Sequence, residues 1–171
     1  MISTLASKLE HLYDSHARGL FCYLLTFTKS ESDAKDLLQE TFVKLAATGG
    51  RVDIQNEKSF VFQVAHHLAI DWLRRRSTRL KAEAILTQQD DIDAQASNNP
   101  DIDLISKCFS KAMETLPPEQ RSIAHLKLSE ELTFEEIAQA QGIPLNTAAS
   151  RYRYALDKLR ALLRPLYEEL K

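Results

Sequence analysis

Two clusters of fixed positive charge hold the chemistry this sequence can perform. Between His66 and Ala82 lie Arg74, Arg75, Arg76, Arg79 and Lys81, opposed only by Asp71, a net +4. Between Pro144 and Arg164 lie Arg151, Arg153, Lys158, Arg160 and Arg164, opposed only by Asp157, again +4. Groups of this kind bind polyanions, and a phosphate contact needs little more than a fixed charge. Thr147, Ser150 and Tyr154 interleave with the second cluster, and their side chains hydrogen-bond to bases and phosphates. From Glu83 to Asp103 there are six acids and no Lys or Arg, a net −6. The overall charge of −2 therefore conceals two basic patches separated by an acidic connector. A solvated helix face explains either patch alone. Both patches with the connector can hold a polyanion at two places.

Other chemistries find little support. There is no glycine-rich phosphate loop, no HExxH and no nucleophile elbow. The five histidines are His11, His16, His66, His67 and His125. His66 and His67 are adjacent, about 100° apart on a helix, and poorly placed to share a metal. Cys22 and Cys108 are far apart and form no C-x-x-C motif. No enzyme, metal or cofactor is expected, and a reducing cytoplasm is the expected compartment. No apolar run approaches the ~18 residues of a membrane span, and the first twenty residues lack the apolar core of a signal peptide.

The elements that must position these clusters read as helices. Apolar residues make up 44% of the chain, but only four glycines and five prolines punctuate it, too few for an all-β architecture. Leu5, Leu9, Leu12, Tyr13, Leu20, Tyr23, Leu24 and Phe27 recur at helical steps over 4–28. A second helix, capped by Ser30 or Ser32, carries Ala34, Leu38, Thr41 with Phe42, and Leu45, and stops at Gly49-Gly50. A third, over 57–79, carries Val61, Val64, Ala65, Leu68 and Trp72 and ends in the arginine cluster. Some of that cluster complements the helix macrodipole. Residues 84–101 read as an acidic, flexible linker. Beyond it the helical period resumes at Ile102, Ile105, Phe109, Ala112, Met113 and Leu116. Pro117-Pro118 opens a further helix bearing Ile123, Leu126 and Leu128. Thr133 and Glu136 form a capping box, Gly142 ends that short helix, and a final helix runs from Pro144 or Leu145 to Leu163. Its inward stripe is Ala148, Tyr152, Ala155, Leu156, Leu159 and Leu163. Asn146, Thr147, Ser150, Arg151, Tyr154 and Lys158 carry its polar face. Short capped helix, glycine turn and basic second helix make a helix-turn-helix pattern. The expectation is an all-α chain of two small helical domains, 1–83 and 102–171.

Three blocks resemble the extracytoplasmic-function sigma factors of the sigma-70 family. Asp33 to Leu45 is similar to the family's region 2.2, and Phe60 to Arg76 to regions 2.3 and 2.4. Leu116-Pro117-Pro118-Glu119-Gln120-Arg121, Glu135-Glu136-Ile137-Ala138 and Ser150-Arg151 are similar to region 4. The blocks and spacers cover nearly the whole chain in the family's order. The resemblance implies a sigma factor that binds core RNA polymerase, directs it to promoters and assists melting. It implies docking of region 2.2, here Asp36, Gln39, Glu40 and Lys44, on the polymerase β′ clamp helices, with region 4 meeting the β flap. It implies contacts to the −10 element from His67, Asp71, Arg74, Arg75, Arg76 and Arg79. It implies contacts to the −35 element from Asn146, Thr147, Ser150, Arg151, Tyr154 and Lys158. Trp72 reads as core, with a base-stacking wedge as the alternative. The family also implies an anti-sigma partner and a monomer when free. The acidic linker would thread the polymerase channels; a plain tether explains its composition equally.

Two positions depart from the family pattern. His67 stands where many relatives carry Asn, and Ala149 stands in the run Asn146–Arg151 where a Lys is usual. These departures keep open a second reading: a sigma-like adaptor or regulator that binds polymerase or DNA without promoter-melting activity. A free-standing helix-turn-helix regulator would account for 133–158 but not for the two N-terminal blocks.

Overall fold

The computed structural model describes residues 2–49, 56–83 and 100–169. They form seven helices: α1 (Ile2–Thr28), α2 (Glu31–Ala47), α3 (Glu57–Ala82), α4 (Pro100–Glu114), α5 (Pro118–Leu128), α6 (Phe134–Gln141) and α7 (Leu145–Glu169). No strand occurs among the described residues. Most of the linker expected over 84–101 lies outside them; its last two residues form the opening of α4.

Local chemistry sets most helix ends. Ser30, not Ser32, caps α2, its hydroxyl accepting from the Asp33 amide at 3.3 Å. Gly49 follows α2 with φ +64°, the left-handed conformation glycine adopts without strain. Pro118 opens α5, where its missing N–H costs nothing. The Thr133 hydroxyl accepts from the Glu136 amide at 3.2 Å, and the Glu136 carboxylate accepts from the Thr133 amide at 2.7 Å. Gly142 ends α6 at φ 65°. Two helices outrun expectation: α3 reaches Ala82, and α7 continues through Pro165 to Glu169.

Helices α1, α2 and α3 pack as one lobe around Leu12, Leu20, Leu24, Ala34, Leu45, Val61 and Leu68. Tyr13, expected on the inward stripe, is 52% exposed. Helices α4–α7 form the second lobe, and Ala112, Met113, Leu116, Ala124, Ala155 and Leu159 cluster between α4, α5 and α7. Leu128 at the end of α5 is exposed.

The lobes share a core. Besides its expected stripe, α3 buries Ser59, Phe62, His66 and Ala69. It packs against α6, and α1 packs against α5. Ile123, Leu126, Leu132, Ile137, Ala140 and Ala148 of the second lobe join the first lobe's cluster. A helix in the first lobe with two covered sides needs apolar residues beyond one stripe, and this is why Phe62 and Ala69 escaped the one-sided reading.

Candidate nucleic-acid and partner interfaces

The outer face of α2 presents Asp36, Gln39, Glu40 and Lys44 to solvent. Its inner side is fixed by Leu37 and by Thr41, whose hydroxyl donates to the Leu37 carbonyl at 2.7 Å. Beside this face runs an open groove of about 840 Å³ between α1 and α2, floored by Phe21, Leu38 and Phe42. Tyr13 packs against Phe42 with the rings tilted and their centroids 5.0 Å apart, and Val43 on the groove's rim is 63% exposed. Sequence reading placed Tyr13 and Phe42 inward and named only polar residues on the outer face. Val43 was the available signal, a β-branched apolar residue off the buried stripe.

A second groove, about 530 Å³, separates α2 from the end of α3. Asp33, Asp36 and Glu40 line one side; Trp72, Arg75, Arg76 and Arg79 line the other. Trp72 is half-buried, and the Arg76 guanidinium lies over its ring at 5.1 Å from the centroid. Arg76 also donates to the Thr28 carbonyl at 3.4 Å. The i,i+4 spacing of Trp72 and Arg76 was a legible signal for this pair. Arg74 lies 3.8 Å from the Asp71 carboxylate, and Arg75 donates to the Asp71 carbonyl at 3.4 Å. Arg74, Arg75, Arg76 and Arg79 are all exposed.

His67 is exposed on α3, and its neighbour His66 is buried. The two rings are 6.4 Å apart and tilted. No group of three or more metal-ligating side chains occurs among the described residues. Burial, with a smaller push from His67, lowers the His66 pKa to about 4. His66 is thus neutral, its Nδ1 2.9 Å from the Tyr23 hydroxyl.

On α7 the turn at Gly142 and the buried Ala148 and Ala155 aim the opposite face outward. Asn146, Tyr154 and Lys158 are exposed; Thr147, Ser150 and Arg151 are half-buried. The Ser150 hydroxyl donates to the Thr147 carbonyl at 3.1 Å. Arg153, which the sequence reading left off this face, is exposed, with its guanidinium 5.5 Å from the Tyr154 ring centroid. It extends the hydrogen-bonding surface. Phe134 and Tyr152, with ring centroids 5.5 Å apart, lock α6 to α7 behind it. The α2 and α3 surfaces thus meet in one groove through Asp36, Glu40, Arg75, Arg76 and Arg79, and the α7 face takes no part in its lining.

Comparison with known proteins identifies the family. Residues 12–79 match Sigma-70 region 2, and residues 112–161 match Sigma-70, region 4. The chain is 31% identical to the RNA polymerase sigma factor YlaC of Bacillus subtilis, over 88% of this chain and 91% of that protein. It is 25% identical to the ECF RNA polymerase sigma factor SigM of the same organism, over 93% and 94%. Similarity to the ECF RNA polymerase sigma factor SigE of Mycolicibacterium smegmatis is 28% identity over 90% of this chain, which spans 61% of that longer protein. Among solved structures, the fold matches the sigma factor RpoE of Bartonella quintana, crystallised in complex with the anti-sigma factor NepR. The TM-score is 0.77 at 20% identity, covering 91% of this chain and 96% of that one. With both sigma-70 regions in order along the chain and only helices as regular structure among the described residues, the protein belongs to the extracytoplasmic-function sigma factors of the sigma-70 family.

Proposed function

We propose that this sigma factor docks core RNA polymerase through α2 and reads a two-part promoter through α3 and α7, without catalytic chemistry of its own. The observation that carries the reading is the outward display of hydrogen-bonding and cationic side chains on α3 and on the second helix of a helix-turn-helix. Asp36, Gln39, Glu40 and Lys44 meet the β′ clamp helices, and the groove beside Val43 supplies the apolar part of that contact. Carboxylates here suit a basic partner surface and set docking register. Arg74, Arg75 and Arg79 hold phosphates along the −10 element, with His67 and Asp71 beside the bases. Asn146, Thr147, Ser150, Arg151, Tyr154 and Lys158 face the −35 element, with Arg151 reading a guanine edge. Region 4 also meets the β flap. An anti-sigma protein restrains the free factor, which works in the cytoplasm. No helix among the described residues is long and apolar enough to cross a membrane.

Charge reversal on α2 tests the docking. Glu40→Lys is expected to weaken binding to purified core polymerase by at least tenfold and leave the helical signal intact. Unchanged affinity would remove α2 from the interface.

A further inference from the structure

We infer that Arg76 is a positioning residue rather than a DNA contact. Its guanidinium ties Trp72 to the end of α1 and so fixes the direction in which the tail of α3 offers Arg74, Arg75 and Arg79 to DNA. The inference rests on the −10 reading of α3.

The tail needs such a tie. Trp72 and Leu73 are half-buried and pack against the first lobe's core, but every residue from Arg74 to the end of α3 is exposed. That overhang carries the arginines, and from Arg74 to Ala82 it rises about 12 Å. A bend of about 10° at Trp72 moves the Arg79 backbone, about 10 Å further along, by about 2 Å. A hydrogen bond to a phosphate does not survive a shift of that size.

Arg76 joins the overhang to another helix. Its guanidinium lies 5.1 Å from the Trp72 ring centroid and donates to the Thr28 carbonyl at 3.4 Å. Thr28 is the last residue of α1, so its carbonyl has no acceptor role within that helix. Helix α1 has no basic residue in its own last turn, and Arg76 brings a cation to the negative end of its macrodipole. The neighbouring arginines behave differently. Arg74 lies beside the Asp71 carboxylate and Arg75 donates to the Asp71 carbonyl, both within α3. Arg79 lines the groove between α2 and α3. Among the described residues, none of these three bonds to another helix, and no ion pair crosses the groove to Asp33, Asp36 or Glu40.

The tie depends on shape as well as charge. A planar guanidinium can stack on an indole and donate from its edge at the same time; an ammonium cannot do both. The stack also takes a face of Trp72 that a base would need. Trp72 therefore anchors the tail and is not a wedge between bases.

Variants of the full chain test this. Binding is measured with purified bacterial core polymerase on a duplex selected by transcription from a random library. Trp72 is the sole tryptophan, so its fluorescence reports the stack. Arg76→Ala is expected to raise acrylamide quenching of Trp72 about twofold, because one ring face is uncovered, and to weaken promoter binding about threefold. The salt slope is expected to stay unchanged, whereas a lost phosphate contact lowers it by about 1. Trp72→Leu is expected to weaken binding to the same degree, and the double variant no further than either single one. Trp72→Phe, which keeps a smaller aromatic face, serves if Trp72→Leu does not fold. Arg76→Lys keeps the charge but not the stack, and is expected to bind like Arg76→Ala. A slope lowered by about 1, or wild-type binding by Arg76→Lys, makes Arg76 a phosphate contact and overturns the inference. Raised quenching with unchanged binding overturns it as well, because the stack then does not direct the tail. Arg75→Ala is the control for the underlying reading. If it leaves both affinity and slope unchanged, α3 is not the −10 surface, and the role given to Arg76 falls with that reading.

Discussion

Arg151 and Arg75 carry the same charge in different settings, and substitution separates their roles. Arg151 is half-buried on the displayed face of α7; Arg75 stands exposed on the tail of α3. Arg151→Ala is expected to cost ~1–3 kcal/mol at one position of the upstream element and to relax base preference there. Arg75→Ala is expected to weaken all sequences alike and lower the salt slope by about 1. Titrations of polymerase–promoter binding at several salt concentrations, on matched and mismatched DNA, check both. The display of these side chains was legible because Arg, Ser and Thr at helical spacing after a glycine turn have few structural uses. Arg76 was less so. It read as a phosphate contact like its neighbours, yet it stacks on Trp72 and reaches the Thr28 carbonyl. Its charge remains near the surface, but its geometry is committed to holding Trp72.

Helix caps were the most legible features because their partners are three or four residues away. Pro118 opens α5, Thr133 and Glu136 cap the start of α6, and Gly142 ends it, as their types require. Thr133→Ala is expected to cost ~1 kcal/mol and lower the midpoint of thermal unfolding. The second buried side of α3 was not legible, because Ser59 finds its partner at Glu136 and Tyr23 finds Gln141. Nothing within a local window reports such pairs. This packing also responds to acid. His66 is held neutral against Tyr23 and Phe27 of α1, with His67 beside it on α3. Its pKa falls from 6.5 to about 4 through burial first and His67 second. The packed state therefore keeps its full advantage above pH 6.5 and loses it as pH falls towards 4. Glu130 acts in the same direction. Burial pushes its carboxyl up, but His125 and Lys58 outweigh that and hold it below the ordinary range. Moving from pH 7.5 to 5.5 is expected to lower the midpoint of thermal unfolding, because the unfolded chain takes up a proton on His66 that the packed state does not. Thermal melts at the two pH values measure this. An equal midpoint at both would show that packing does not hold the His66 ring neutral.

For the molecule as a whole, the sequence carried fold class and family because sigma blocks recur in order along nearly all of it. It could not carry the arrangement of the lobes. That depends on side chains such as Arg121, a residue of the region 4 block whose guanidinium joins α4 to α1. A surface arginine and a helix-joining arginine look alike in a sequence; only the carbonyls around them differ. The same applies to the grooves flanking α2, which form where α1 and α3 diverge from it. The central claim is that this chain programmes core polymerase to start at a promoter with two elements. Selection of transcribed sequences from a random DNA library, using purified protein and bacterial core polymerase, tests it most directly. The account expects a bipartite motif at fixed spacing, its upstream half blurred by Arg151→Ala and its downstream half altered by substitution at His67. Polymerase binding with no enriched motif, or a motif enriched equally without polymerase, would contradict it.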